Sequence, residues 1–276
     1  MAFTLAHEAH GRGEPLVLVH GLATTRVIWR RVLPLLERSR RVVAIDVPGF
    51  GESPAAGEGF DLEVVADDIA NGLEEIGVKA PFELAGHSLG GALAIVLADR
   101  HPGAVRSLVL VAPAGLRRVP NAAAQLIGGA AERALPLRRR GAALADTPWG
   151  RRLLMSPGTK DPASIPPAEV RAMLKASQGA TRTGAALTAV AQVDLRPRLA
   201  SLKVPVGVLW GEHDRIIPPS GIETILHARG ADTPVRTIDG AGHIPMMERP
   251  EQFSLALEEI LTALSRHRNI AATRSP

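Results

Sequence analysis

Six residues, Gly86-His87-Ser88-Leu89-Gly90-Gly91, interrupt an otherwise apolar run between Phe82 and Leu97. Each glycine there weakens regular structure by roughly 0.5–1 kcal/mol relative to alanine, so the interruption serves something other than packing. A serine flanked by glycines, between a strand and a helix, can be raised on a turn sharp enough to hold its hydroxyl clear of the sheet. A helix beginning at Leu89 aims its unpaired amides at negative charge developing nearby. The chemistry indicated is nucleophilic attack by Ser88, with the Leu89 amide as a stabilising donor.

A serine hydroxyl is a poor nucleophile until a base takes its proton and an acid holds the base. Partners are expected at later strand ends, acid before histidine. "VGVLWGEHD" supplies Asp214 just after a strand, and "GAGHIPMM" supplies His243 in a glycine-flanked loop before the last helix. Asp194 is the credible substitute for Asp214, and Glu212 a weaker one. Asp46 opens a Pro-Gly turn and Asp239 ends a strand, so both read as turn caps. His87 points away from the serine side chain and reads as core packing. His213 reads as a loop residue and His7, His10, His101, His227 and His267 as surface; none belongs to a spaced metal cluster.

These residues need a scaffold, and the pattern predicts one. Apolar runs at 15–21, 41–49, 82–88, 107–113, 204–211 and 234–240 alternate with helical periods near 26–37, 61–76, 89–101, 219–229 and 250–266. That alternation predicts an α/β fold with a mostly parallel sheet, helices on both faces and ligands at the strands' carboxyl ends. Between Pro113 and Val204 the chain spends about ninety residues where one short crossover would do. Helices are expected there near 121–135, 137–155, 167–178 and 181–193. The reading is a core of 1–115 and 196–268, a helical cap over 116–195 and a disordered tail at 269–276. Leu126, Ile127, Leu135, Leu137, Leu144, Trp149, Leu153, Leu154 and Met155 are more apolar residues than a thin helical layer can hide. Some are therefore expected to roof the site.

Composition excludes several classes. The chain has 276 residues, 46% of them hydrophobic, with 32 basic against 28 acidic side chains, as in an ordinary globular protein. The pI near 10.2 reflects arginine and the lack of tyrosine and cysteine; no aromatic-interleaved basic stripe marks a nucleic-acid site. The cap arginines Arg138-Arg139-Arg140 and Arg151-Arg152 read as a solvated face. Without cysteine, disulfides, thiolate catalysis and cysteine-ligated metals are impossible. No leader-like N-terminus or run of 18 apolar residues is present, so a cytoplasmic protein without a membrane span is expected. No motif specifies an oligomeric state.

From "PLVLVHG" at 15–21 to the last helix, the chain resembles the α/β-hydrolase family, in its serine-esterase and C–C-hydrolase group. The resemblance is carried by His20-Gly21, "DVPGFGESP" at 46–54, the Ser88 elbow, "GEHDRIIP" at 211–218 and "GAGHIPMMERPEQF" at 240–253. It implies a Ser88–His243–Asp214 triad, no cofactor or metal, and a small-molecule ester or related acyl substrate. It also implies an oxyanion hole made by the Leu22 and Leu89 amides, with His20 shaping the first of these loops. Expected pocket residues are His20, Leu126, Leu153 and Ile244, with Trp29 and Trp149 read first as packing residues and second as pocket lining. Related dehalogenases and epoxide hydrolases carry aspartate at the elbow, and the latter use cap tyrosines that this chain lacks. Ring-fission-product hydrolases differ at "HGLATT" and at Ile244, where they have tryptophan, so C–C hydrolysis ranks behind ester hydrolysis. Lactone opening, perhydrolysis and acyl transfer would use the same triad. A hydrolase-like ligand receptor would not require all three residues.

Overall fold

The computed structural model describes residues 4–55, 57 and 59–274. Seven strands, β1 (His7–His10), β2 (Pro15–Val19), β3 (Arg41–Ile45), β4 (Phe82–His87), β5 (Val105–Val111), β6 (Val206–Gly211) and β7 (Val235–Ile238), form one sheet in the order β1-β3-β2-β4-β5-β6-β7. Among the described residues only the β1–β3 pairing is antiparallel. The chain leaves β2 for β3 on one side and returns to place β4 on the other. The strand order therefore reverses at β2, and the crevice at such a switch point is where open α/β sheets bind ligands. Val19, the last residue of β2, lies beside Gly86, which sets the β2 exit loop next to Ser88.

Alternation along β2 builds two cores. Val17 and Val19 face one cluster with Leu84, Leu108 and the helices α2 (Leu62–Glu75), α3 (Leu89–Arg100) and α9 (Gly221–Arg229). Leu16 and Leu18 face the other, with Ala85, Val109, α1 (Leu33–Leu36) and α11 (Pro250–Arg274). Asp61 caps α2 by accepting the Glu63 and Val64 amides, a contact typically worth about 1 kcal/mol.

The segment between β5 and β6 holds α4 (Asn121–Arg140), α5 (Pro148–Met155), α6 (Pro167–Ala176) and α7 (Thr183–Gln192), followed by α8 (Arg196–Ser201). Among the described residues it builds no core of its own. Ala186 and Val190 join the first cluster, while Leu154, Met155, Ile165 and Met173 join the second. The short α10 (Pro245–Glu248) precedes α11.

Several boundaries differ from expectation. The helix expected over 26–37 is a 3-10 turn at Arg26–Trp29 and then α1, because Pro34 restarts the helix and Thr25 caps the earlier turn. Helix α4 runs through Pro136 and gives way at the 3-10 turn Gly141–Asp146; a proline removes one backbone bond without having to end a helix. Helix α11 reaches Arg274, past the tail boundary expected at 268; residues 275 and 276 lie outside the described residues. Strand β1 was not expected, since its sequence HEAH is polar and mostly exposed.

Candidate active site

Ser88 follows β4 with φ 53° and ψ −114°, a backbone region that side-chain-bearing residues rarely occupy and that costs of order 1–3 kcal/mol. The neighbouring glycines make the turn feasible. A Cβ on Gly86 would lie 2.3 Å from the Gly90 carbonyl oxygen, and one on Gly90 would lie 2.4 Å from that of Val19. Helix α3 can thus pack against the ends of both β4 and β2, with Ser88 at its N-terminus.

The β2 exit loop passes directly over this turn, where a Cβ on Gly21 would sit 3.0 Å from Ser88 Cβ and 2.7 Å from His87 Nδ1. Among the described residues, neither the Leu22 nor the Leu89 backbone N–H has a hydrogen-bond partner. His20 fixes the loop from below: its Nε2 accepts the Val47 amide at 2.9 Å, so its Nδ1–H donates to the Gly21 carbonyl at 2.8 Å. Full burial pushes the His20 pKa down, partly opposed by nearby Asp46. His20 is therefore a neutral brace beneath the loop and not a pocket residue.

Asp214 follows β6 and His243 follows β7, and the structure brings them together. His243 Nδ1 lies 2.7 Å from Asp214 Oδ2, while Asp214 Oδ1 accepts the Ile216 and Ile217 amides at 2.8 and 2.9 Å. With both oxygens engaged by donors, the aspartate is an acceptor that fixes a proton on Nδ1 and leaves Nε2 as the basic nitrogen. His243's main chain is also held at both ends: its N–H donates to Gly158 O at 2.9 Å, and its carbonyl accepts from His87 Nε2 at 2.7 Å.

His87, expected only to fill the core, is thus part of the site. Its ring lies 4.7 Å from that of His243. Because Nε2 donates, Nδ1 carries a lone pair, buried and without a partner among the described residues. Burial, reinforced by the neighbouring His243, holds its pKa well below the ordinary histidine value. Sequence position beside the serine was the available signal; the bond to a residue 156 positions away was not.

Ser88, His243, Leu22, Leu89 and Ile244 line one cavity of about 610 Å³, together with His87, Met155, Met173, Leu187 and Val190. Other expected pocket residues fall elsewhere. Trp29 is fully buried against Phe253 in the second core, in agreement with the packing reading, while Leu126, Trp149 and Leu153 are 75%, 59% and 64% exposed. The side chains of Ile127, Leu135 and Leu137 lie outside the described residues. The amphipathic stripes of α6 and α7 supply the apolar wall instead. Asp194 pairs with Arg196 and borders a separate cleft, and that bond lowers its pKa. Glu212 accepts the Gly240 amide. Asp46 is buried, accepting the Arg26 and Glu52 amides and pairing with the Arg26 guanidinium. Among the described residues no acidic and histidine cluster could hold a metal ion, and no helix is long and apolar enough to cross a membrane.

A parallel sheet with one antiparallel edge strand, a strained serine at its switch point, and an acid–histidine pair at later strand ends define the α/β-hydrolase class. A family model described as the alpha/beta hydrolase fold matches residues 14–250, and the chain belongs to that family. It is 30% identical over 272 residues to a pimeloyl-[acyl-carrier protein] methyl ester esterase of Aeromonas hydrophila, covering 92% of this chain and 98% of the relative. A 2-hydroxymuconate semialdehyde hydrolase of a Pseudomonas species is 40% identical over 111 residues, 38% of each chain. The solved structure of a thermophilic esterase from Thermogutta terrifontis superposes with a TM-score of 0.73 at 28% identity, covering 94% of this chain and 93% of that one.

Proposed function

We propose that this chain is a serine carboxylic-ester hydrolase acting on small, largely apolar acyl esters. The observation that carries the reading is the 2.7 Å bond from Asp214 to His243, which lines the same cavity as the strained Ser88. Ser88 Oγ attacks the ester carbonyl carbon as its proton passes to His243 Nε2. Asp214 stabilises the resulting imidazolium through Nδ1–H, and the Leu22 and Leu89 amides receive the negative charge on the carbonyl oxygen. Collapse breaks the bond to the alkoxide, which leaves with the proton from His243. Water then repeats the sequence on the acyl-serine, releasing the acid and restoring Ser88.

The helices over 116–195 act as a cap in this reading, and the cavity suits one small ligand. Cleavage of C–C bonds is the second reading, favoured by the similarity to the 2-hydroxymuconate semialdehyde hydrolase. It ranks lower because the charged side chain lining the cavity, among the described residues, is the exposed Arg117. An acidic ring-fission product would have no interior charge partner, and burying an unpaired carboxylate is costly.

The test is labelling with a fluorophosphonate, followed by turnover of esters with two to sixteen acyl carbons. One adduct on Ser88, absent in Ser88→Ala, is expected, with activity peaking at short or middle lengths. Each buried methylene adds at most about 0.8 kcal/mol of selectivity. Undiminished labelling in Ser88→Ala, or best activity on the longest chains, overturns the proposal.

A further inference from the structure

The loop that carries His243 is fastened to the segment following α5, and the fastening converges on one buried carboxylate. Glu248, only 2% exposed, accepts the Gly242 amide on Oε1 at 2.8 Å. Its Oε2 accepts the amides of Lys160 and Asp161 at 2.8 and 2.9 Å. One oxygen therefore holds the histidine loop and the other holds the segment between β5 and β6. A few residues away, His243 N–H donates to Gly158 O. The two backbones are in contact: a Cβ on Gly242 would lie 2.8 Å from Lys160 N and 2.9 Å from Thr159 Cα.

The rim of the seam is bridged as well. Arg249 pairs with Asp161 at 3.4 Å, and the Arg31 guanidinium donates to the carbonyls of Ser164 and Met247, one on each side. Gly158 and Ile244 both line the cavity, so the seam reaches the place where substrate would sit. Nothing in this arrangement is needed merely to cover a pocket; an apolar contact would do that without burying a charge.

We infer that Glu248 is a positioning residue: it clasps segment 158–161 to the histidine loop, so that His243 holds its place only while that segment is docked. This rests on the reading of His243 as the general base. The carboxylate is required because three N–H donors converge on it. Glutamine has one acceptor oxygen, so either Gly242 or the Lys160–Asp161 pair must face an NH₂ group that cannot accept. The seam then loses the carboxylate bonds on one of its sides while the His243–Gly158 main-chain bond remains, and a displacement of about 1 Å at a catalytic group can cost on the order of 100-fold in rate.

Amide hydrogen exchange and steady-state kinetics on a short-chain ester test the clasp together. In the wild-type protein the amides of Lys160, Asp161, Gly242 and His243 should share one opening free energy, as members of one cooperative unit do. In Glu248→Gln all four should exchange faster together, kcat should fall about 10- to 100-fold, and KM should move less than about threefold. Leu199→Ala, a core change on α8 away from the cavity, serves as the control for lost stability: its melting temperature should drop with kcat close to wild type. Four unrelated opening energies in the wild type overturn the clasp even if the variant does not fold. Unchanged kcat in Glu248→Gln, or slowed turnover with unchanged exchange at 242–243, overturns the positioning role. If Ser88→Ala turns over ester as the wild type does, the hydrolase reading has failed, and the exchange data alone decide whether Glu248 couples the two segments.

Discussion

Replacing Asp214 with asparagine separates holding the histidine from building the fold. The aspartate accepts three hydrogen bonds: Oδ1 from the Ile216 and Ile217 amides, Oδ2 from His243 Nδ1. Asparagine has one acceptor oxygen. If that oxygen keeps the two backbone amides, the NH₂ group faces Nδ1 and can only donate. The imidazole must then present its lone pair on Nδ1 and carry its proton on Nε2, the nitrogen that has to receive the serine proton. The opposite flip would leave the two part-buried amides of Ile216 and Ile217 facing NH₂, two bonds unmade against one, so the first arrangement wins. The expected result is a fall in kcat of about 10⁴, or roughly 5.5 kcal/mol at 1.36 kcal/mol per decade. KM should stay within a few-fold, because the acid does not line the cavity. Exchanging charged for neutral hydrogen bonds costs about 1–3 kcal/mol in stability, a loss that thermal unfolding will register without loss of fold. The assay is initial-rate hydrolysis of p-nitrophenyl butyrate beside a melting curve. A folded variant within tenfold of wild-type kcat refutes the assignment of the acid.

Gly21→Ala should place a methyl group 2.7 Å from His87 Nδ1 and 3.0 Å from Ser88 Cβ. The His87 ring is buried and hydrogen-bonded, so the loop must move, costing about 1–3 kcal/mol in stability and at least tenfold in kcat; a crystal structure with an unmoved Leu22 amide and normal turnover would refute this. His87 makes the stability pH-dependent. Its folded pKa lies well below the ordinary value, so below about pH 6.5 the unfolded chain takes up a proton that the folded chain refuses. Stability therefore falls as the pH drops through that window, by up to about 1.4 kcal/mol per pH unit. Denaturant unfolding of His87→Gln, which retains a donor without titrating, should show a shallower decline; identical slopes would refute the neutral, buried role.

Local chemistry made most of the sheet legible. Alternation and β-branching marked β2 to β7, and the glycines around Ser88 marked a turn whose φ of 53° no regular element would contain. Strand β1 escaped because an exposed edge strand has no buried face to imprint a pattern. The pocket expectations on α5 failed for one reason. Trp149 and Leu153 stand four apart on α5, which reads as an apolar stripe facing a core, yet both are exposed. Leu187, Val190 and Ala191 follow the same spacing on α7 and do line the cavity. A helical stripe says that some face is apolar; only the tertiary docking of the helix decides what that face meets.

The histidine loop carries this distinction to the candidate active site. Asp214 and His243 could be picked out because each follows its own strand, and the parallel sheet delivers all strand ends to one edge. What holds His243 there comes from three separate parts of the chain: Asp214 after β6, His87 at the end of β4, and Gly158 after α5. Two of those bonds involve main-chain atoms, whose partners leave no residue-type signature in a sequence. Glu248 is the exception in kind, a charged residue buried three places after Pro245. In the sequence it lies inside the "GAGHIPMMERPEQF" stretch that carries the family resemblance, where nothing in its type or spacing marks it as buried. Its burial and its three amide donors distinguish it from a surface acid. A rigid sheet can therefore bring catalytic side chains to one edge, while the final placement of the histidine depends on the helices between β5 and β6 remaining joined to its loop.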